Sequence, residues 1–114
     1  MKLNPTEKAV LCGIRSDIEF WRSFGYHDRD QTACRHTAAA REGMANMNLT
    51  GWLGRSPSAS DKVAASRAYG RLESLGLICR HAWAGSNRTS ALSLTDEGTK
   101  LAAKLAEHTE GAAR

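Results

Sequence analysis

The chain has 114 residues, 41% hydrophobic and 25% charged, which is enough for one compact domain and too few for two. Its net charge of +4 is local: residues 43 to 93 carry Arg55, Lys62, Arg67, Arg71, Arg80 and Arg88 against Asp61 and Glu73, while the remainder carries ten charges of each sign, so a surface facing a polyanion is predicted. No run approaches the roughly 18 apolar residues of a membrane span, and Met1-Lys2-Leu3-Asn4-Pro5 lacks the apolar stretch of a secretory signal, so a cytoplasmic protein with no membrane partner is expected.

Asn4-Pro5-Thr6-Glu7 reads as a helix start, with Asn4 as cap, proline at the first helical position and a glutamate three residues after the cap. Leu11, Ile14, Ile18 and Trp21 follow as one apolar stripe and predict a helix over 5–23. Asp28-Arg29-Asp30 breaks the chain, after which the alanine-rich run 31–45 is expected to be helical, weakened near its end by Gly43. Leu49, Trp52 and Leu53 form a short helical patch stopped by Gly54 and by the turn chemistry of Ser56-Pro57-Ser58. Ser60 or Asp61 is expected to cap the next helix, which runs to Leu75 and is closed by Gly76.

On that helix Ala65, Ala68, Leu72 and Leu75 share one side, with Tyr69 at its edge, and Val63, Arg67, Gly70, Arg71 and Ser74 share the other. Leu77 to Ala84 reads as a strand, residues 85–88 as a turn and Thr89 to Leu94 as the returning strand, with Leu92 and Leu94 on one face. Thr95-Asp96-Glu97 opens a last helix over about 96–108 that carries Leu101 and Leu105, and a polar tail follows from about Thr109.

A short helix, a turn, a longer helix with exposed arginines and then a hairpin is the order of a winged helix-turn-helix. The chain also resembles a family here. Leu49-Thr50-Gly51-Trp52-Leu53-Gly54-Arg55-Ser56, Ser66-Arg67-Ala68-Tyr69-Gly70-Arg71-Leu72-Glu73-Ser74-Leu75-Gly76-Leu77-Ile78 and Leu92-Ser93-Leu94-Thr95-Asp96-Glu97-Gly98 are similar, in that order, to three blocks of the MarR-like winged-helix regulators. The resemblance spans about residues 47 to 105. It implies a mainly α fold with a small β-hairpin wing, the helix-turn-helix and wing lying within 47–95. The stretch between Ser56 and Ser66 is longer than the tight turn of that family, and residues 24–46 match none of its blocks.

The function implied is sequence-specific binding of double-stranded DNA by a transcriptional regulator, with a recognition helix at about 60–75 in the major groove and a wing at about 79–94 on flanking DNA. Arg67 and Arg71, one turn apart, are the candidate base readers, and Val63, Ser66 and Gly70 belong to the same candidate surface. Gly70 costs about 1 kcal/mol against alanine in a helix interior, which makes sense if the backbone approaches a partner closely. Arg55, Ser56, Ser58, Ser60 and Lys62 surround the turn and helix start, where hydroxyls, amides and an ammonium hold phosphates. Asn87, Arg88 and Thr89 lie at the wing tip, where a guanidinium suits the negative minor groove.

Other chemistries find little in the residues. Cys12, Cys34 and Cys79 contain no Cys-x-x-Cys pair, and the repeated Cys34-Arg35-His36 and Cys79-Arg80-His81 have no zinc-ligand spacing, so neither metal nor other cofactor is expected. Cys12 adjoins the apolar stripe as a structural thiol would, although some MarR-like regulators sense oxidants through cysteine. No phosphate-binding glycine loop, His-Glu-x-x-His or serine nucleophile motif marks an enzyme. The competing reading is a winged helix used as a protein-interaction module in a replication or segregation assembly, whose contact surface would be apolar and aromatic rather than arginine-bearing. Leu11, Ile14, Ile18 and Trp21 at one end, and Leu101 and Leu105 at the other, exceed what one small core is expected to cover, which predicts a homodimer.

Overall fold

The computed structural model describes residues 2–23, 31–82 and 88–112, and side chains within them except at 31–34 and 108–112. The first helix, α1 (Pro5–Ser23), forms where its start signal predicts. The Asn4 backbone N–H donates to Glu7 Oε1 and the Glu7 N–H donates to Asn4 Oδ1, each at 2.8 Å, which is the reciprocal capping box. Val10, Leu11, Ile14 and Ile18 are buried because α1 is the hub of the fold, touching all four other helices and two of the three strands. This corrects the premise of the dimer expectation at Leu11, Ile14 and Ile18, which the chain covers by itself, while Trp21 of the same stripe is half-buried.

The second helix, α2 (Gln31–Arg41), ends earlier than its alanine content predicts. Gly43 turns the chain with φ of 79°, and Met44–Asn46 leaves the helix to become a strand, β1. Helical propensity within 31–45 is overridden there by a ladder that pairs Met44 with Ser93, Ala45 with Leu92 and Asn46 with Ala91. The remaining strands are β2 (Ile78–His81) and β3 (Ala91–Leu94). The expected two-stranded hairpin is therefore two-thirds of a three-stranded antiparallel sheet of order β1-β3-β2. Ser90 N–H donates to the His81 carbonyl at 2.8 Å and continues the pairing beyond β3. Trp83, Ala84 and the turn expected at 85–87, like the break expected at Asp28-Arg29-Asp30, fall outside the described residues.

Between β1 and β2 stand two helices. The short α3 (Leu49–Leu53) is capped by Asn48, whose side chain accepts from Gly51 N–H, and is closed by Gly54 at φ of 73°. The longer α4 (Ala59–Ser74) starts before the predicted Ser60 or Asp61 cap. Ser58 is the cap, and Asp61 is its reciprocal partner in a second capping box. Only residues 54–58 therefore separate the two helices, which accounts for the long interval between Ser56 and Ser66: α4 begins earlier, and the turn is not extended. At its other end Gly76, at φ of 73°, donates to the Glu73 carbonyl while Leu77 N–H donates to that of Leu72, the Schellman pattern. Leu75, expected on the buried side, is 38% exposed because it sits at the cap, where the helix surface turns outward.

The last helix, α5 (Asp96–Ala112), extends past the predicted limit near 108; no proline interrupts it, and propagation costs little once a helix is nucleated. Thr95 fastens its start to the end of α4, accepting from Gly98 N–H at 3.0 Å and donating its hydroxyl to the Gly76 carbonyl at 2.6 Å. The core under these elements joins α1 to Leu72, Leu77, Ile78, Leu92 and Ala102, with Trp52, Tyr69, Leu94, Leu101 and Leu105 packed at its margin.

Candidate nucleic-acid interface

The site is built on α4 and is aimed by what holds α3. Trp52 of α3 lies in a notch at Gly13 of α1, where an added Cβ would stand 2.2 Å from the indole ring. Trp52 Nε1 and Asn48 Nδ2 both donate to Asp17 Oδ2, at 2.9 and 3.1 Å. With α3 locked on α1, the five-residue connection leaves α4 little freedom at its start.

Within α4 the helical period separates the faces as expected. Ala65, Ala68 and Leu72 are buried, whereas Ser60, Lys62, Val63, Ser66 and Arg67 are exposed. The side chains of Arg67 and Lys62 make no hydrogen bond or ion pair among the described residues, so their charges are open to a partner.

Arg71 is placed differently from the expectation that it is a second open reader. Its Nη1 donates to Glu7 Oε1 and its Nη2 to the Lys2 carbonyl at 3.1 Å, so the guanidinium is turned toward the start of α1. Glu7 is only 1% exposed. Burial pushes its carboxyl pKa up, but the Asn4 backbone N–H and the Arg71 guanidinium outweigh that and hold it below its ordinary range.

Arg55 is likewise committed. Its Nη1 and Nη2 both donate to the Asp61 carboxylate, the second to Oδ1 at 3.0 Å, and this raises the Arg55 pKa and holds the Asp61 carboxyl far below the usual range. Asp61 also places a negative charge at the N-terminus of α4, where a phosphate would otherwise be drawn. The phosphate-holding set expected around the turn thus loses its guanidinium and keeps Lys62 and the hydroxyls of Ser56, Ser58 and Ser60, all on exposed residues. Arg80 is engaged as well, its Nε lying 3.4 Å from Glu73 Oε1. Its guanidinium covers Gly70, where an added Cβ would stand 3.3 Å from Arg80 Nη2. The absent side chain at Gly70 therefore has an occupant within the fold.

Ahead of β3, Arg88 is exposed and its carbonyl accepts from the Ser90 hydroxyl at 3.3 Å. Thr89 is half-buried, and Asn87 lies outside the described residues. The residues that sequence reasoning missed are the acids. Glu7 was visible as a capping residue, but nothing local connects it to an arginine 64 positions away.

The remaining candidate chemistries have these surroundings. Cys12 is half-buried, and burial raises its thiol pKa against the opposing pull of Arg15 and Lys8, the reverse of what a reactive thiolate needs. Among the described residues no three His, Cys, Asp or Glu side chains gather to hold a metal ion, and no helix is long and apolar enough to cross a membrane. A cavity of ≈ 180 Å³ lies between α2 and the sheet, lined by Ala39, Met44, Asn46, His81 and Ala91 among others. No known protein family, characterised protein or solved structure matches the chain.

Proposed function

We propose that the chain is a winged-helix protein that binds double-stranded DNA and regulates transcription, inserting α4 into the major groove and laying the β2–β3 wing on the flanking duplex. The observation that carries this reading is on α4: the Arg67 side chain stands exposed and unpaired on its outer face and that of Lys62 on its flank, while Arg55, Arg71 and Arg80 are each drawn to a carboxylate. The order of the elements supports it. A short helix and a longer one are joined by a five-residue turn and followed by an antiparallel strand pair, the arrangement that presents one helix to a groove about 12 Å wide.

In this reading Arg67 is the principal base reader, Lys62 and the serines around the helix start hold phosphates, and Arg88 with the wing tip meets the neighbouring backbone or minor groove. Arg71 fixes α4 against α1 and does not itself read bases. Two copies would present their α4 helices about 34 Å apart, one turn of the duplex. The test is selection of bound sequences from random duplex DNA at a fixed salt concentration, followed by Arg67→Ala. A shared motif is expected, and the variant should lose about 1 to 3 kcal/mol of specific binding while keeping its helical circular dichroism. Failure to enrich any motif, or an unaffected Arg67→Ala, refutes the assignment of α4.

A further inference from the structure

The apolar side chain at the centre of the α4 outer face has no structural reason to be there. Val63 is 53% exposed and lies nine residues from the fully buried Leu72, about half a revolution around the helix at 100° per residue. It is therefore as far from the core as this helix allows. Valine is also a poorer helix former than alanine, so its presence in the exposed first half of α4 neither packs the core nor helps the helix. Its surroundings are polar and cationic. Lys62 precedes it, Ser60 and Ser66 lie one turn to either side, and Arg67 lies one turn toward the C-terminus.

A partner fitting this face needs a methyl-sized apolar group beside hydrogen-bond acceptors and negative charge. The major groove of DNA offers that combination at the C5-methyl of thymine, which lies beside O4 and near the N7 and O6 of a neighbouring guanine. Four helical residues rise about 6 Å, close to two base-pair steps of about 3.4 Å. We propose that Val63 reads the C5-methyl of a thymine while Arg67 reads a guanine within about two base pairs of it, so that a methyl group is part of the recognised sequence. The inference rests on the DNA-binding reading of α4, and it adds an apolar contact whose loss is separable from the loss of DNA binding.

The experiment uses the selected duplex and fluorescence anisotropy. Each thymine is replaced singly by deoxyuridine, which removes the methyl group and leaves every hydrogen-bonding atom in place. One such position is expected to weaken wild-type binding about fourfold, the worth of burying one methyl-sized group. The same replacement should change the binding of Val63→Ala by less than about twofold, because that variant has already lost the contact. Cytosine at that position should bind weakly and 5-methylcytosine should recover part of the affinity, for the wild type only. Val63→Ala is made at an exposed helical site and is expected to fold, which circular dichroism checks. If the wild type binds the duplex with full affinity at every deoxyuridine position, the methyl-reading inference is overturned and the DNA-binding reading survives. If Val63→Ala remains as sensitive to the replacement as the wild type, Val63 is not the reader. If no duplex is bound, both readings fall together.

Discussion

Removing Arg71 tests whether it is a surface arginine or a brace. In the fold its guanidinium meets a Glu7 carboxylate that is almost fully buried, while Arg71 itself is 46% exposed. Truncating one member of a fully buried pair costs about 3–5 kcal/mol, and a hydrogen bond to a charged group contributes about 1.5–3 kcal/mol. Water reaches the arginine side of this pair and screens it, so about 2 kcal/mol is expected for Arg71→Ala. With an unfolding entropy of about 2.1 cal/mol/K per residue over 114 residues, that is a fall in Tm of about 8 °C. The assay is a double-mutant cycle with Glu7→Gln, read by urea denaturation across pH. Glutamine keeps an oxygen for the Asn4 N–H, so the cycle isolates the charge pair.

The pH dependence has a definite sign. The folded chain holds the Glu7 carboxyl below its ordinary 4.5, so the unfolded chain binds the proton more readily, and the stabilisation present above that value is lost as pH falls through and below it. In Arg71→Ala burial is left opposed only by the Asn4 N–H. Without the guanidinium the carboxyl is held down less than in the wild type, so this variant has less stability to lose as pH falls. The gap between wild type and Arg71→Ala should therefore be widest near neutrality and close toward pH 3. A coupling energy below about 0.5 kcal/mol at pH 7, or a gap independent of pH, would show that the pair is not a brace and would return Arg71 to the residues proposed to face DNA.

Three further outcomes are expected. Gly98→Ala would place a Cβ 1.9 Å from the Leu77 carbonyl oxygen, a backbone atom that cannot swing away, so a loss of more than about 3 kcal/mol is expected in denaturant titration; a loss under about 1 kcal/mol would refute the close approach of α5 to Leu77, between α4 and β2. Gly70→Ala meets only the movable tip of Arg80 and removes the entropic penalty of glycine in a helix, so it should stabilise by about 0.5–1 kcal/mol, and a lowered midpoint would show that Arg80 does not yield. Self-association, if α5 mediates it, uses the groove of ≈ 620 Å³ that Leu75, Leu77 and Leu101 share with Glu97, Lys100 and Lys104; sedimentation equilibrium should then give twice 12.4 kDa for wild type and a monomer for Leu75→Asp, whereas a monomeric wild type removes the dimer.

The features legible along the chain are local. Asn4-Pro5-Thr6-Glu7 specifies the start of α1 because every group that caps the helix lies within four residues. Gly54 and Gly76 end α3 and α4 because each supplies a left-handed residue at its own position. The outer face of α4, with Val63 and Arg67, follows from the helical period alone. The rest depends on groups distant in sequence. Met44–Asn46 lies within a run that reads as helix and becomes a strand only because β3, more than 40 positions later, offers it a ladder. The identical pattern of exposed arginines contains some that are open and some that are spoken for, and Arg71 is separated from Arg67 by a carboxylate on another helix. Glycines 13 and 98 are likewise explained by Trp52 and by the Leu77 carbonyl, neither of which is near them in the chain. Periodicity decides which side of a helix faces outward, because that is a property of one segment. Which charges on that side remain available is settled by the neighbouring elements, because an ion pair needs two partners and only the folded chain brings them together.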